Sequence, residues 1–192
     1  MKFRRPLKIT SRTSSITNSF VQAIIPTVKP TTAELEEALA ILDMKLGQTS
    51  CVYCGVNATD WDHLRPLVKG KRPSGFLNEA RNLVPCCGPC NQSKSGAYWK
   101  DWMEGQAPGA PKTKGVVDVD KRIARLTRFE KWGNLKPFRI EDVVGQEKWA
   151  QYWNACQEIE NQMKAAQLLA DEIQKIVEGQ FAAEKALIIV SA

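Results

Sequence analysis

Residues 51–54 read Cys-Val-Tyr-Cys, and residues 87–90 read Cys-Gly-Pro-Cys. Each motif is a C-x-x-C turn, which points two thiolates at one centre, and a tetrahedral zinc ion binds four thiolates at about 2.3 Å. The alternative is a framework of disulfides, which is typical of small secreted chains, and the sequence carries no secretory signal. The two motifs therefore predict a structural zinc site formed by Cys51, Cys54, Cys87 and Cys90.

The other two cysteines are assigned by their spacing. Cys86 directly precedes Cys87, so a pairing of Cys86 with Cys90 is an open alternative. The two-residue spacing of a zinc knuckle favours Cys87. Cys156 lies alone in a helical pattern, which indicates a core residue.

The single histidine of the chain lies between the two motifs. Residues 59–66 read Thr-Asp-Trp-Asp-His-Leu-Arg-Pro, and Asn-Leu-Val-Pro follows at 82–85. An imidazole with an unperturbed pKa of about 6.5 can accept a proton from water near neutral pH. Asp62 and Asn91 offer hard oxygen ligands suited to Mg²⁺ or Mn²⁺. Taken singly, Asp60 is an alternative ligand, Asn82 an ordinary turn residue and Asn91 a helix N-cap.

Cys-x-x-Cys, Asp-His, Asn-Leu-Val-Pro and Cys-x-x-Cys-Asn-x-x-Lys follow one another in a fixed order from Cys51 to Lys94. This combination resembles the HNH family of ββα-metal nucleases. The resemblance covers roughly residues 51–102. Asn91 stands where many members have histidine, so the chain is similar to the H-N-N variety.

The resemblance implies a function and a role for each motif residue. Asp62 and Asn91 would bind the catalytic Mg²⁺ or Mn²⁺ ion, and His63 would be the general base. Asn82, the second catalytic residue, would stand behind the His63 loop and hold the imidazole in register through hydrogen bonds. The zinc site would be structural and separate. The reaction would be metal-dependent hydrolysis of DNA phosphodiester bonds, leaving 5′-phosphate and 3′-hydroxyl ends.

Periodicity predicts the elements around this core. Thr31 and Glu34 form a capping-box pattern for a helix that ends near Gly47. We expect an α+β fold, in which a mainly helical chain surrounds a small ββα-metal core stapled by a four-cysteine zinc site. The predicted strands are residues 58–63 and 82–85, the predicted helices are 91–103, 119–132 and about 146–177, and the predicted loops are 70–75 and the linker 105–115.

This organisation gives four predicted segments. Residues 1–30 form a basic arm, residues 31–50 a helix that packs on the core, residues 51–104 the nuclease core, and residues 105–192 a helical C-terminal region. In the long helix of this region, apolar residues recur every three or four positions from Trp149 to Ile173. Such a stripe is buried either against other helices or against a second copy, so a homodimer through the C-terminal helices is one expectation.

The charge distribution points to a polyanionic partner. The formal net charge is +6, and residues 1–30 carry no acidic residue. We expect DNA as this partner rather than a membrane, because no amphipathic anchor accompanies the charge and no run of about 18 apolar residues exists. The arm either binds along the DNA phosphate backbone or packs on the core through residues 20–25. The cations expected at the DNA are Arg65, Lys69, Lys71, Arg72 and Lys94.

The expected role is restriction of foreign double-stranded DNA in a bacterial or phage-infected cytoplasm. A nicking or structure-selective nuclease of a mobile element or phage is the first alternative. The second is a zinc-stabilised DNA-binding module without catalysis.

Overall fold

A computed structural model describes residues 6–190, with side-chain surroundings described as far as residue 184. The α+β class is confirmed: the chain is 56% helical and holds two small two-stranded sheets. Two short 3₁₀ turns lie at Ile9–Arg12 and Ala80–Asn82. The strands are β1 (Asp60–His63), β2 (Val68–Lys69), β3 (Arg72–Pro73) and β4 (Leu83–Cys86), and the helices are α1 (Thr13–Ala23), α2 (Thr32–Ile41), α3 (Gly88–Lys94), α4 (Trp99–Glu104), α5 (Val119–Gly133), α6 (Ile140–Val144) and α7 (Gln146–Val190).

Strands β1 and β4 are the two strands that the sequence predicts, each within two residues of its expected bounds. They pair antiparallel, with Asp60 opposite Cys86 and His63 opposite Leu83. The first cysteine knuckle is tied to the same sheet, because the Val52 amide donates to the Pro85 carbonyl at 3.0 Å. The histidine and both knuckles therefore belong to one compact substructure.

A second hairpin replaces part of the predicted loop at 70–75. Strands β2 and β3 pair through a two-residue turn, and both turn residues, Gly70 (φ +57°) and Lys71 (φ +62°), are left-handed. A type I′ turn requires positive φ at both positions, and its twist matches that of the flanking strands. The hairpin holds Lys69, Lys71 and Arg72 at an exposed tip.

The core forms around the substructure of β1, β4 and the knuckles. Tyr53, Leu64, Val84, Trp99 and Met103 are buried in it. Helices α2 and α5 and the residue that caps α2 complete it with a set of large apolar side chains, Leu39, Leu42, Leu126 and Phe129. Apolar burial of this kind is the main favourable contribution to folding.

The helix predicted over residues 31–47 begins as expected but ends early. Thr31 and Glu34 form the predicted capping box, with the Glu34 amide donating to Thr31 Oγ1 at 3.2 Å. The helix ends at Ile41, because Asp43 takes a left-handed conformation (φ +57°). Leu46, which lies within the predicted helix, is consequently exposed.

The single helix predicted over residues 91–103 is two helices. Helix α3 begins at Gly88, with Cys87 as its N-cap, and ends at Lys94. Ser95 then has a positive φ of +47°, which no α-helix can contain, and α4 starts at Trp99. The predicted linker at 105–115 is also more closely packed than expected, because Ala110 is fully buried in the core.

The chain forms two compact units whose bounds differ from the predicted segments. Residues 21–143 form the core unit, which takes in residues 105–143 that the sequence assigned to the C-terminal region. The second unit joins residues up to Phe20 with residues from Val144 onward. In it the Ile9 amide donates to Gln167 Oε1 at 2.6 Å, and the Thr17 hydroxyl donates to Glu160 at 3.0 Å.

Much of the predicted basic arm is therefore structured. Residues 9–23 form a 3₁₀ turn and helix α1, and the part up to Phe20 belongs to the α7 unit. Val21 and Ile25 are buried within the core unit. Lys2, Arg4 and Arg5 of the predicted arm lie outside the described residues.

Helix α7 follows the predicted long helix and extends past its expected end at Val177. Trp153 and Cys156 are buried, as the apolar stripe predicts. Leu169 and Ile173, further along the same predicted stripe, are exposed by more than half. Within residues 6–190, no helix is long and apolar enough to cross a membrane.

Candidate functional site

Four cysteines from the two knuckles converge on one point. The Sγ atoms of Cys51, Cys54, Cys87 and Cys90 all lie within 4.8 Å of one another, and the Cys54 and Cys87 sulfurs are 3.7 Å apart. This separation suits four ligands around one zinc-like ion. The arrangement supports Cys87 over Cys86, because Cys86 lies outside the cluster.

Local backbone structure aims these thiols. In the first knuckle the Gly55 amide donates to the Cys51 carbonyl at 2.8 Å, and Gly55 has a φ of +85°, which favours glycine. In the second knuckle Cys87 caps α3, and Pro89 lies in the first turn, where a missing amide hydrogen costs nothing. Each C-x-x-C motif is thus a defined turn that points its two thiols toward the cluster.

The thiols influence one another strongly. The neighbouring Cys90 thiol lowers the pKa of Cys51, and Cys51 in turn raises the pKa of Cys90. Burial raises the pKa of Cys86, and nearby Asp62 adds to this effect. A raised pKa does not separate Cys86 from the ligand set, since the pKa of Cys90 is raised as well; Cys86 is set apart by its position outside the cluster.

His63 ends strand β1 and is oriented by an asparagine. Its Nε2 lies 3.1 Å from Asn78 Oδ1, and Asn78 Nδ2 donates to Thr27 Oγ1 at 3.1 Å. Because the Asn78 oxygen can only accept, Nε2 carries the hydrogen and Nδ1 is left as the acceptor. Burial lowers the pKa of His63, against the opposing effect of the Asn78 hydrogen bond, so the imidazole is neutral at neutral pH.

Asn82 is completely buried beside the residues that follow His63. Its Oδ1 accepts from the Arg65 amide at 2.8 Å, and its Nδ2 donates to the carbonyls of Arg65 and Leu77 at 3.0 Å each. Asn82 therefore holds the loop, as the resemblance implies, but the imidazole itself is held by Asn78. We correct its predicted catalytic assignment to that of a positioning residue for the loop.

Asp62 and Lys94 form a buried ion pair. Lys94 Nζ lies 3.0 Å from Asp62 Oδ2 and 3.2 Å from Oδ1, and it also donates to the His63 carbonyl at 3.0 Å. The Tyr53 hydroxyl donates to Asp62 Oδ2 at 2.6 Å. The Lys94 side chain has no exposed surface, so the prediction that Lys94 contacts a DNA phosphate is wrong for this arrangement.

This pair bears on whether a catalytic divalent ion fits the predicted ligands. An ion at Asp62 would have to displace Lys94 Nζ, whose carboxylate partner is Asp62. Breaking a buried ion pair costs about 3–5 kcal/mol, and an ion bound with millimolar affinity supplies about 4 kcal/mol, so the two nearly cancel. Asp62 is therefore a poor site for such an ion while Lys94 stays in place. Asn91 is half-buried on α3, and its side chain has no hydrogen-bond partner among the described residues, so it remains open.

Comparison with known proteins gives no match: no family model, curated protein or solved structure is similar to this chain.

The predicted DNA-contacting cations have different surroundings. Arg65 Nε is paired with Glu130 at 2.7 Å, and its guanidinium lies over the Tyr98 ring at 4.5 Å from the centroid. These contacts bind Arg65 to the core unit and leave about a third of its side chain exposed. Lys69, Lys71 and Arg72 are exposed on the β2–β3 hairpin.

The sequence analysis missed three residues that shape this site. Asn78 orients His63, Tyr53 binds Asp62, and Glu130 binds Arg65, Tyr98 and Trp99. Tyr53 lies inside the first knuckle, and its place between two ligands was an available signal. Asn78 and Glu130 come from segments whose spacing carries no motif, so only the folded chain brings them to the site.

Proposed function

We propose that this chain is an HNH-type endonuclease that hydrolyses DNA phosphodiester bonds, with a ββα-metal core formed by β1, β4 and α3 and zinc in the four-cysteine cluster. The observation that carries the proposal is the position of the His63 imidazole. Its Nε2 is held by Asn78, and His63 lies on the β1–β4 strand pair, which is tied to that cluster. An oriented, neutral imidazole with its other nitrogen available is what a general base requires.

In this proposal His63 Nδ1 accepts a proton from the attacking water. The hydroxide oxygen forms a bond to phosphorus, the bond from phosphorus to the 3′-oxygen breaks, and a second water protonates that oxygen. The products carry a 5′-phosphate and a 3′-hydroxyl. A Mg²⁺ or Mn²⁺ ion would offset the charge on the phosphate when bound, and the Asn91 amide oxygen is the predicted ligand that is open to it.

The test is cleavage of supercoiled plasmid with Mg²⁺ or Mn²⁺ by the wild-type protein and by His63→Ala. We expect cleavage by the wild type and its loss in His63→Ala, with DNA binding and zinc content retained. Lys121→Ala, at an exposed position of α5, is the matched control and should cleave normally. Cleavage by His63→Ala at the wild-type rate contradicts the assignment of the base.

The products of that assay separate the biological roles. Double-strand cuts at fixed sites support restriction of foreign DNA in a bacterial or phage-infected cytoplasm, which is the role we propose. Nicks support a mobile-element or phage nuclease.

A second candidate is a zinc-stabilised DNA-binding module without catalysis. The Asp62–Lys94 pair favours it, because it closes a carboxylate that the nuclease resemblance assigns to a metal. Binding of DNA by the wild type, with no cleavage under any divalent ion, would establish this alternative.

A further inference from the structure

Trp61 differs from the other tryptophans of the chain. The other five, Trp99, Trp102, Trp132, Trp149 and Trp153, each have a ring contact or a hydrogen bond to a described residue. Trp61 has none among the described residues, and 42% of its surface is exposed. A single exposed apolar residue is ordinary on a protein surface, so the case for Trp61 rests on its position beside the candidate base and on the amphipathic character of its ring.

The pleat of β1 places Trp61 with the candidate base. Side chains alternate across a strand, so Trp61 and His63 share one face while Asp60 and Asp62 share the other. The second face is covered by α3, since Lys94 binds Asp62 there. Trp61 and His63 are two residues apart, about 7 Å along the strand, so one short stretch of DNA can reach both.

The strand opposite Trp61 is rigid at the pairing position. Pro85 is the antiparallel partner of Trp61 and is buried. Proline has a fixed φ, so the backbone that pairs with Trp61 has little freedom to lose when a ligand binds there.

From this placement we infer that Trp61 stacks on a nucleobase one or two nucleotides from the phosphate at His63, so that the preferred substrate has an unpaired base there. The inference rests on the proposed nuclease function and names its substrate class, single-stranded or flapped DNA rather than an intact duplex. Among the roles given above, it therefore favours the structure-selective nuclease over restriction of double-stranded DNA. Bases within an intact duplex already stack on their neighbours and offer no free face, whereas an unpaired base does.

The test measures DNA binding in the full chain carrying His63→Ala, so that cleavage plays no part. The probes are a single-stranded oligonucleotide with 2-aminopurine and the same sequence in a paired duplex. We expect Trp61→Ala to raise the Kd for the single strand about tenfold and to abolish the quenching of 2-aminopurine, since stacking on an aromatic ring stabilises binding appreciably. Trp61→Phe should retain most of the affinity, and Kd for the duplex should change far less.

Phe138→Ala is the matched control, because Phe138 is an aromatic residue of similar exposure, 47%, and should bind DNA normally. Thermal unfolding of each variant checks that the fold is retained.

A Kd for Trp61→Ala equal to that of the control overturns the inference. An equal loss of affinity for the single strand and the duplex overturns the preference for unpaired bases. If single strands bind through Trp61 but are not cut by the wild type, only the nuclease function fails. If no DNA binds, both fail.

Discussion

At the scale of single residues, the chemistry of the candidate site depends on which groups hold His63. Asn78 accepts from Nε2 and so determines which nitrogen is left to act as a base. Asp62 is adjacent in sequence, but Lys94 and Tyr53 hold it. The orientation of the histidine therefore comes from a neutral amide and not from the neighbouring carboxylate.

Replacing Asn78 with aspartate should shift the pH dependence of cleavage. Burial lowers the pKa of His63, so the neutral base persists below the usual value and the acidic limb of the wild-type rate profile should lie below about pH 6.5. A carboxylate beside Nε2 stabilises the imidazolium and raises this pKa. In Asn78→Asp the acidic limb should therefore move to higher pH, as measured by kcat/KM against pH.

Asn78→Ala separates orientation from charge. It should lower kcat about 10- to 100-fold with little change in KM, because the imidazole loses its orienting partner. Two results would together contradict the role of Asn78 in orienting His63. They are an unshifted acidic limb of the kcat/KM profile in Asn78→Asp and a normal kcat in Asn78→Ala.

The Asp62–Lys94 pair should matter greatly for stability. Lys94→Met leaves Asp62 as a buried, uncompensated charge and should lower the free energy of unfolding by about 3–5 kcal/mol. The exposed Lys69→Met is the control and should change it by no more than about 0.5 kcal/mol. Urea denaturation measures both, and Asp62→Asn in the Lys94→Met background should recover part of the loss. Equal free energies of unfolding for Lys94→Met and Lys69→Met would contradict a stabilising role for the pair between β1 and α3.

At the scale of elements, the two knuckles and the strand pair were predictable because their signals are local. C-x-x-C spacing fixes a turn, and residues 60–63 and 83–86 pair close to where the sequence predicts strands. The ends of α2 and the break after α3 were not predictable, since they depend on Asp43 and Ser95 taking positive φ. Neither residue type demands that conformation, so tertiary packing determines it.

The adjacent cysteines offer a direct test of the metal cluster. Cys87→Ser removes one of four converging thiols and should lower both the zinc content and the unfolding midpoint, because a structural metal contributes directly to folding. Cys86→Ser changes the neighbouring thiol, which lies outside the cluster, and should keep one zinc per chain. Elemental analysis and thermal denaturation provide the two measurements. Loss of zinc in Cys86→Ser with retention in Cys87→Ser would reverse the ligand assignment.

At the scale of the whole molecule, the charge predicts how DNA binding depends on salt. The β2–β3 hairpin exposes Lys69, Lys71 and Arg72. The DNA association constant falls as salt rises, and on duplex DNA each phosphate contact steepens the plot of its logarithm against log salt concentration by about 0.9. Replacing all three with glutamine should reduce this slope by up to about 2.7 if each contacts a phosphate. Replacing Lys112, Lys114 and Lys121 with glutamine removes the same charge from exposed positions elsewhere and should reduce the slope less. Equal slopes for the two triple variants would exclude the hairpin as a specific DNA contact.

Helix α7 carries the remaining prediction, that the chain forms a homodimer. Leu168, Leu169, Ile173, Ile176 and Val177 lie within one turn or two of each other, and each is more than half exposed. Exposure of so many large apolar side chains to water is unfavourable. In a homodimer, the apolar stripe of each copy is buried against that of the other. Ile173→Gln with Ile176→Gln should shift the mass measured by sedimentation from dimer to monomer. Lys164→Gln with Lys175→Gln, which border the stripe at Leu168 but face away from Ile173 and Ile176, should leave the dimer intact. A monomeric wild type at high micromolar concentration would contradict the prediction, and the stripe would then need a different partner.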